Sequence, residues 1–348
     1  MPSFTKLTIP SAGERITFKK GKPIVPDHPI VPFIRGDGTG VDIWPATQKV
    51  LDSAIAFSYG EKRKINWFKI YAGDEACENY GTYNYLPEDT IEAIKFYGVA
   101  LKGPLTTPIG GGIRSLNVAL RQIFDLYSCV RPCKYYSGTP SPHKKPQDLD
   151  IIVYRENTED IYMGIEWEAD DQICKDLINH LNDFVIPNSE KLKNRKLPAS
   201  AGIGIKPVSK EGSQRHIRKA IEHAKRLKGD KKHVTLVHKG NIMKFTEGAF
   251  RDWGYDLAIN EFRKDCITER ESWILDNIKN NPDINIENNA RLIEPGFNKL
   301  TIEKQNIICE EISQVISSIS QSHGNNKWKE LVLIDDRIAD SIFQQIQT

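Results

Sequence analysis

The sequence predicts an α/β protein with a mostly parallel sheet, because short apolar runs alternate with segments of helical periodicity. The run 29–34 is followed by a glycine-rich turn and by a helical pattern over 41–58. Strands are predicted over 65–71 and 99–102, with a helix between them that begins after Pro87. Strands that alternate with helices in this way are typical of βαβ units, whose strands run parallel.

The second half of the chain continues this alternation with two interruptions. Residues 169–198 are charged and favour neither helix nor strand, so residues 160–205 are interpreted as a small subdomain. The stretch 263–329 contains Asn-Asn pairs and prolines, and one helix is predicted inside it. The other predicted elements of this half are strands over 150–154, 161–167, 234–237 and 331–334 and helices over 209–227, 245–262, 301–319 and 337–347.

Length and charge exclude several classes of protein. At 348 residues the chain is long enough for two domains, at about 100–200 residues each. Its net charge of +2 is too small to indicate a nucleic acid or an anionic membrane as a partner. The N-terminus has no apolar signal segment, and no run reaches the roughly 18 apolar residues of a membrane span. The six cysteines include no Cys-x-x-Cys pair, so we expect reduced thiols and a cytoplasmic location.

The most informative stretch of the sequence contains a glycine-rich loop. Three consecutive glycines at 110–112 allow the backbone to approach a ligand closely and to expose its N–H groups. Ser115 lies at the predicted start of a helix, the end that favours anions, and Asn117 follows it. Arg121 and Arg131 supply guanidinium groups, which pair with carboxylates in bidentate fashion. The stretch therefore predicts a site for a small molecule that carries several carboxylates.

Two further polar clusters follow predicted strands, where the sites of α/β proteins gather. Arg155 follows one strand directly, and Tyr162 lies seven residues beyond it and could deliver a proton. Lys239 follows another strand and could act as a base or as an electrostatic partner. Taken alone, such a tyrosine is more often structural and such a lysine more often solvated. The neighbouring His238 is more often a packed histidine than a metal ligand.

Asp336 and Asp340 are four residues apart and are predicted to share one face of the closing helix. Carboxylates placed in this way suit Mg²⁺ or Mn²⁺, which prefer oxygen ligands. An acidic helix N-terminus explains the same pair equally well. The residues alone leave both interpretations open.

Taken together, these stretches resemble the bacterial NADP-dependent isocitrate dehydrogenases of the β-decarboxylating dehydrogenase family. The most specific are Gly-Pro-Leu-Thr-Thr-Pro followed by Gly-Gly-Gly-Ile-Arg-Ser-Leu-Asn-Val-Ala-Leu-Arg, then Arg-Glu-Asn-Thr-Glu-Asp-Ile-Tyr, and Val-His-Lys-Gly-Asn-Ile-Met-Lys-Phe-Thr-Glu-Gly-Ala-Phe. The resemblance runs from Ile24 to Ala258 and resumes at Leu331. The stretch between looks like the long insertion of cyanobacterial members.

The resemblance implies the fold of the isocitrate and isopropylmalate dehydrogenases, which is not a Rossmann fold. The sequence agrees, since the spacing in Gly36-Asp37-Gly38-Thr39-Gly40 is not that of Gly-x-Gly-x-x-Gly. This fold has a large and a small α/β domain and a clasp subdomain that joins two subunits, so a homodimer is implied. The implied ranges are 1–126 for the first part of the large domain, 127–159 and 206–348 for the small domain with an insertion at 263–329, and 160–205 for the clasp.

The resemblance also implies the roles of particular residues. Those that match the isocitrate carboxylate site are Ser115, Asn117, Arg121, Arg131 and Arg155. Those that match the nicotinamide half of the NADP site are Thr106 and, more weakly, Lys102 and Asn241. The catalytic pair is matched by Tyr162 and Lys239, and one ligand of Mg²⁺ or Mn²⁺ by Asp340. Lys239 and Asp340 would serve the site of the partner subunit, and Ser115 matches a serine that is phosphorylated in related enzymes.

The implied reaction belongs to the tricarboxylic acid cycle and converts isocitrate and NADP⁺ into 2-oxoglutarate, CO₂ and NADPH. In the family, the metal ion lowers the pKa of the C2 hydroxyl, and Lys239 would help to remove its proton. After loss of CO₂, Tyr162 would protonate the enolate carbon.

Chains of this family continue beyond the position that matches Thr348. The further part would supply two metal-binding aspartates and the loop that binds adenine and the 2′-phosphate. We therefore expect incomplete metal and cofactor sites in residues 1–348, and little dehydrogenase activity from these residues alone. The choice between NADP and NAD is not readable here, because that loop decides it.

Two alternative functions stay open at this point. The chain could be a non-catalytic or regulatory subunit that keeps the carboxylate pocket. It could also be a relative that acts on 3-isopropylmalate or tartrate. The pair Ser115 and Asn117 argues for isocitrate, because it suits the extra carboxylate of that substrate.

Overall fold

The computed structural model describes residues 2–106, 115–229, 232–319 and 327–347 of the chain. The chain divides into two units, Met1–Leu126 and Tyr127–Thr348. The glycines at 110–112, on which the predicted carboxylate site partly depends, lie outside the described residues.

The first unit is built around a parallel sheet with the strand order β4-β3-β5. Its strands are β1 (Thr17–Lys19), β2 (Lys22–Ile24), β3 (Ile30–Ile34), β4 (Asn66–Lys69) and β5 (Leu101–Lys102). Its helices are α1 (Gly40–Tyr59), α2 (Asp74–Tyr80), α3 (Glu88–Tyr97) and α4 (Leu116–Ile123). Phe33 is the register partner of Lys69 on one side and of Leu101 on the other. The strands and helices predicted for this half are confirmed, with small differences at their ends.

An aromatic cluster packs α1 against the sheet of the first unit. The ring of Phe33 stacks on Trp44 with 3.9 Å between centroids, and Trp67 meets Trp44 edge-on at 5.2 Å. Deeper in the unit, the buried side chains include Ile34, Phe68, Ile70, Ala93 and Tyr97. Burial of one large apolar side chain contributes about 1.5–3 kcal/mol, so these residues account for much of the stability of the unit.

The N-terminal segment of the first unit is fastened to α3 by the side chain of Asp89. Its Oδ2 accepts hydrogen bonds from the backbone N–H groups of Thr5 and Lys6, each at 2.9 Å, and from the Tyr80 hydroxyl at 2.7 Å. Burial raises the pKa of Asp89, but these hydrogen bonds outweigh it and leave the pKa below its usual value. The ionised carboxylate is therefore the form that holds the segment.

The second unit has a parallel sheet with the order β10-β12-β11 and two antiparallel strand pairs, β6 with β7 and β8 with β9. Its strands are β6 (Ser128–Lys134), β7 (Asp150–Glu156), β8 (Ile165–Trp167), β9 (Ile203–Ile205), β10 (His233–His238), β11 (Cys266–Thr268) and β12 (Val332–Ile338). Its helices are α5 (Gln172–His180), α6 (Lys210–Ala224), α7 (Glu247–Asn260), α8 (Glu269–Asn280), α9 (Ile286–Ile293), α10 (Ile302–Gln314) and α11 (Ala339–Gln347). The predicted α/β class is confirmed.

Helices α6 and α7 pack on the parallel sheet of the second unit. The buried residues they share with the sheet include Ile217, Ile221, Leu236, Leu257 and Ile334. Gly254 allows α7 to approach β10, because a Cβ there would lie 2.7 Å from a methyl group of Leu236. The two strands that matter for function, β10 and β12, are thus fixed by one apolar core.

The stretch 263–329 contains more structure than the single helix predicted for it. Besides α10 it holds β11, α8 and α9, because several of its polar residues cap helices instead of forming loops. Thr268 and Glu271 form a reciprocal capping box at the start of α8, and the Asn285 side chain accepts from the Asn288 N–H at 2.8 Å. Asn289 is buried and donates to the Ile274 carbonyl at 3.2 Å, which joins α9 to α8.

Two other predicted elements need correction. The first half of the strand predicted over 161–167 is a short 3₁₀ helix, Asp160–Met163, which ends at Gly164 in the left-handed conformation with φ 66°. The helix predicted over 337–347 begins two residues later, because β12 extends through Ile338. Asp336 therefore lies on a strand, and the prediction that it shares a helix face with Asp340 is wrong.

None of the described helices is long and apolar enough to cross a membrane. All six cysteines lie in described parts of the chain and are free thiols.

We expect Asp89→Ala to lower the free energy of unfolding by about 1–2 kcal/mol, because its donors lose their acceptor. The pKa of Asp89 is lowered on folding, so its contribution is complete above the unfolded-state pKa and is lost as the pH falls through the folded-state pKa. The difference between wild type and variant, measured by urea unfolding at several pH values, should therefore shrink on acidification. Glu88→Ala, in the same helical turn, is the control, and a difference independent of pH would contradict this account.

Candidate functional site

In the first unit, the predicted site residues lie along the segment that leaves β5 and enters α4. They are Lys102, Thr106, Ser115, Asn117 and Arg121. Lys102 is the last residue of β5, Ser115 is the N-cap of α4, and Arg121 lies in the last turn of α4. Residues 107–114, which join the two halves of this group, lie outside the described part of the chain.

Asp37 fixes the position of Thr106 and was not recognised from the sequence. The Asp37 side chain is buried, and its Oδ2 accepts from the Thr106 N–H at 2.9 Å. Its Oδ1 accepts from the Asp74 N–H, also at 2.9 Å. The carboxylate thus joins the segments that follow β3, β4 and β5. The Gly-Asp-Gly-Thr-Gly stretch that contains Asp37 could have indicated this role. The sequence analysis noted only that its spacing differs from that of a nucleotide-binding motif.

Two glycines make room for this arrangement. Gly73 has φ 73°, and a Cβ on it would lie 2.3 Å from the Asp37 carboxylate. A Cβ on Gly103 would lie 2.0 Å from the Arg35 carbonyl oxygen. Both contacts are far closer than van der Waals packing allows, so the backbone can pass here only without a side chain.

Lys102 and Arg121 place two positive charges in the same region. Loss of water around the Lys102 ammonium and, next, repulsion from Arg121 lower the pKa of Lys102, while Asp37 acts in the opposite direction. The Lys102 ammonium donates to the Gly103 carbonyl at 2.7 Å. An anion bound here would relieve the repulsion between the two cations, so the pair suits a negatively charged ligand.

Ser115 and Asn117 lie at the start of α4. Within the described residues, the Ser115 hydroxyl makes no capping hydrogen bond to the helix. The Asn117 amide reaches the Leu105 carbonyl only at 3.5 Å, the long limit of a hydrogen bond. Both side chains are half-buried, and the helix N-terminus beside them favours anions.

In the second unit, Arg131 and Arg155 lie on one face of the β6–β7 hairpin. Arg155 is paired in register with Cys129, and Arg131 follows Cys129 by two residues on the same strand. Residues directly opposite each other, and residues two apart on one strand, share a face of an antiparallel pair. The Arg131 Nε also donates to the Cys129 Sγ at 3.2 Å. The sequence prediction that these arginines act together is consistent with this register.

Arg155 covers the ring of Tyr162, with its guanidinium carbon 4.2 Å from the ring centroid. This distance is within the range of a cation–π contact. The turn between them is closed by Glu156, whose carboxylate accepts from the N–H groups of Thr158 and Glu159 at 2.9 Å. The structure therefore brings Arg155 and Tyr162 together, as their spacing in the sequence suggested.

Arg121, Arg131 and Arg155 differ from most other arginines in the described part of the chain, which pair with acidic side chains. Arg218 pairs with Glu261 at 2.6 Å and Arg337 pairs with Glu269 at 2.8 Å. Among the described residues, no carboxylate lies within ion-pair distance of Arg121, Arg131 or Arg155. Their charges are therefore available to carboxylates of a ligand.

Lys239 and Asp340 meet at the ends of β10 and β12. The two strands are paired in parallel register, with His238 opposite Ile338, and the Lys239 ammonium forms an ion pair with the Asp340 carboxylate. The Lys239 N–H donates to Glu247 Oε2 at 2.8 Å. Asn241 lies in the same turn and is exposed to solvent. Two predicted site residues 101 positions apart are thus in direct contact.

Asp336 does not contribute to this pair. Its carboxylate accepts from the Tyr255 hydroxyl at 2.8 Å and contacts His238 Nε2 at 3.0 Å, and His238 is buried. The packed role expected for His238 is consistent with these contacts. In the described parts of the chain, no three His, Cys, Asp or Glu side chains are grouped so that they could hold a metal ion. A hard divalent cation takes about six oxygen ligands, so Asp340 alone does not form such a site.

Lys206 was also not identified from the sequence as a site residue. It follows β9 directly and contacts both Asp160 and Glu247. Asp160 lies two residues before Tyr162, and Glu247 accepts from the Lys239 N–H. A lysine that contacts two distant acids is not readable from its neighbours in sequence, because both partners depend on the fold.

Comparison with known proteins finds one family model and several relatives that match most of the chain. The family described as isocitrate/isopropylmalate dehydrogenase matches residues 30–289. The protein named isocitrate dehydrogenase (NADP) of Nostoc sp. is 67% identical over 345 residues, which cover 99% of this chain and 73% of that protein. The protein of the same name from Synechocystis sp. is 66% identical with the same coverage.

Solved structures are also similar to this chain. The crystal structure of isocitrate dehydrogenase from Methylococcus capsulatus aligns with a TM-score of 0.51 at 28% identity. The alignment covers 91% of this chain and 69% of that one.

Proposed function

This chain belongs to the isocitrate/isopropylmalate dehydrogenase family, and we propose that it takes part in the oxidative decarboxylation of isocitrate to 2-oxoglutarate and CO₂ with reduction of NADP⁺. The names of relatives that share two thirds of its residues favour this reaction over one on 3-isopropylmalate or tartrate. They also favour an enzyme over a binding subunit without activity.

The observation that carries this proposal is the arrangement of Arg131, Arg155 and Tyr162. Two guanidinium groups on one face of a hairpin can bind carboxylates of the same small acid, and a phenol lies against one of them. Ser115, Asn117 and Arg121 would bind further carboxylate oxygens of isocitrate. A substrate with three carboxylates suits three arginines better than a monocarboxylic acid does.

The residues of the chain would perform two proton transfers. Lys239 would help to remove the proton of the C2 hydroxyl, and the hydride from C2 would pass to NADP⁺ when that cofactor is bound. The resulting 2-oxo acid has a carboxylate β to its new carbonyl, and loss of CO₂ leaves the electron pair in an enolate. Tyr162 then protonates the enolate carbon, which gives 2-oxoglutarate. Arg155 contributes by holding the Tyr162 ring in place.

Cofactor binding is assigned to a small set of residues. Thr106, whose backbone is fixed by Asp37, would contact the nicotinamide half of NADP, with Lys102 and Asn241 in weaker roles. Asp340 would supply one oxygen ligand to Mg²⁺ or Mn²⁺. The described residues do not complete a set of ligands for that ion.

We further propose a cytoplasmic homodimer in which Lys239 and Asp340 serve the site of the partner subunit. The ranges 1–126, 127–159 with 206–348, and 160–205 would correspond to part of the large domain, the small domain and the clasp. The paired strands β8 and β9 with α5 support a separate unit within 160–205.

The first test measures NADPH absorbance with isocitrate as substrate. We expect Arg121→Ala and Arg131→Ala each to raise the KM for isocitrate roughly 30-fold, since loss of a partner from a charge pair costs about 2 kcal/mol. Arg251→Ala is the matched control, because Arg251 pairs with Asp252 at 2.6 Å on the surface of α7. These kinetic tests use a complete version of the chain, because little turnover is expected from residues 1–348 alone. No isocitrate-dependent NADPH formation by the complete wild-type version would refute the proposed function, and an unchanged KM would refute the role of these arginines.

Tyr162→Phe should keep isocitrate binding but lower kcat by about 100-fold or more, the contribution typical of a general acid. The measurements are binding by calorimetry and turnover by NADPH absorbance. Tyr136→Phe is the control, because Tyr136 is 70% exposed. Normal turnover by the Tyr162 variant would assign the proton to another group.

The same variant tests whether Lys239 acts in the partner's site. Random exchange of Tyr162→Phe subunits with Lys239→Met subunits makes half of the dimers mixed, and one of the two sites in each mixed dimer would be intact. About one quarter of wild-type activity should therefore return. No recovery would mean that both residues of a chain act in one site.

Ser115 is proposed as a phosphorylation site that blocks substrate binding. A phosphate adds about −2 charge and would repel an anionic substrate. Ser115→Asp should therefore weaken isocitrate binding, measured by calorimetry, by about 100-fold, which corresponds to roughly 2.7 kcal/mol. The control is Ser137→Asp in an exposed loop. Equal effects of the two substitutions, or tight binding by the Ser115 variant, would exclude this form of control.

A further inference from the structure

Lys206 lies between two carboxylates that belong to distant parts of the second unit. Its ammonium forms an ion pair with Asp160 and contacts Glu247 Oε1 at 2.9 Å. The three side chains are only 27%, 34% and 21% exposed, in the order Lys206, Asp160, Glu247. A partly buried ion triplet of this kind is less screened by solvent than a surface pair.

On one side, Lys206 contacts the turn that carries Tyr162. Asp160 has φ 59°, and its Oδ1 accepts from the Ile161 N–H at 2.7 Å. The Asp160 N–H donates to the carbonyl of Pro207 at 3.0 Å, directly after Lys206. The start of this turn is therefore joined to the Lys206 segment through both its backbone and its side chain.

On the other side, Lys206 contacts the residue that holds the Lys239 turn. Glu247 lies at the start of α7 and uses its second oxygen, Oε2, to accept from the Lys239 N–H at 2.8 Å. One carboxylate thus connects the Lys206 ammonium to the backbone of Lys239. The path from Asp160 to Lys239 consists of charge-assisted hydrogen bonds throughout.

The Lys206 ammonium balances the negative charges of Asp160 and Glu247. Burial lowers the pKa of Lys206, but the bonds to Asp160 and Glu247 outweigh it and leave the pKa above its usual value. Without the ammonium, two carboxylates would face each other across a partly dry space and repel each other. The turns that they hold would then move apart or lose their order.

We propose that Lys206 is a positioning residue, which holds the turn that carries Tyr162 and the turn that begins at Lys239 in a fixed relation through Asp160 and Glu247. This inference rests on the proposed function for the catalytic roles of Tyr162 and Lys239. Lys206 itself is not assigned a contact with the substrate.

The test compares Lys206→Met with Lys225→Met, its matched control. Lys225 bonds to Asp265 at 2.7 Å, is 35% exposed and contacts neither turn. Amide hydrogen exchange of the full chain is followed in peptides that cover 160–164 and 239–243. We expect both peptides to exchange about tenfold faster in Lys206→Met and not in Lys225→Met, the effect of losing one charge-assisted bond. Unchanged exchange in either peptide, or an equal change in the control, would overturn the proposal.

Kinetics provide the second measurement. In Lys206→Met, kcat should fall about tenfold or more while the KM for isocitrate changes less than about threefold, because the orientation of the two proton-transferring groups, Tyr162 and Lys239, is lost and the arginines remain. Lys206→Arg, which can contact both carboxylates, should restore most of kcat. An unchanged kcat, or a fall that Lys225→Met matches, would overturn the proposal.

The two measurements distinguish failure of the proposed function from failure of the Lys206 proposal. Failure of the complete wild-type version to reduce NADP⁺ with isocitrate would refute the proposed function, and hydrogen exchange alone would still decide whether Lys206 holds both turns. Should Lys206→Met fail to fold, Asp160→Asn replaces it, since asparagine tolerates a positive φ and the change removes one of the two negative charges. Faster exchange of the 160–164 peptide would then support the proposal, and unchanged exchange would overturn it.

Discussion

Parallel strands end at the same edge of their sheet, and in each unit some of the candidate site residues lie just beyond such ends: Thr106 in the first unit, and Lys239 with Asp340 in the second. In the first unit, the segments after β3, β4 and β5 meet at the Asp37 carboxylate, which accepts from the N–H groups of Asp74 and Thr106. In the second unit, β10 and β12 bring Lys239 against Asp340. Parallel pairing is therefore the constraint that makes these distant residues neighbours. In the first unit, Gly73 and Gly103 leave room for the segments beyond the strand ends, and the buried Asp37 carboxylate joins them.

Much of this arrangement could be predicted, because it depends on local signals. Apolar runs followed by polar turns located Arg155 and Lys239 at strand ends, whereas Tyr162 was predicted to lie in a strand and lies in the 3₁₀ helix Asp160–Met163. Contacts that depend on the fold could not be predicted. The assignment of Asp336 to a helix failed because helix and strand patterns overlap in its short acidic stretch, and only pairing with β10 shows that β12 continues. In 263–329, asparagines that suggested loops cap helices or bridge them, since the same side chain can satisfy either role.

The distribution of ion pairs separates stabilising charges from functional ones. Arg218 and Arg337 are neutralised by glutamates of neighbouring elements, which contributes to the packing of the second unit. Arg155 instead lies over an aromatic ring, and Lys102 keeps a lowered pKa beside Arg121. A positive group without an acidic partner is unfavourable in the free protein to the extent that it is removed from water, as the half-buried Arg155 is. A polycarboxylate ligand would remove this penalty, so part of its binding energy would come from charges that the fold leaves unneutralised.

The Lys206 triplet would give the proposed dimer a physical connection between its two sites. Under the proposed sharing of sites, Tyr162 of one chain acts in one site and Lys239 of the same chain acts in the other. The bonds from Asp160 through Lys206 and Glu247 then join two sites within a single polypeptide. A ligand that shifts the Tyr162 turn in one site would change the position of Lys239 in the other. Such a coupling is reciprocal in binding free energy, so the second site would influence the first by the same amount.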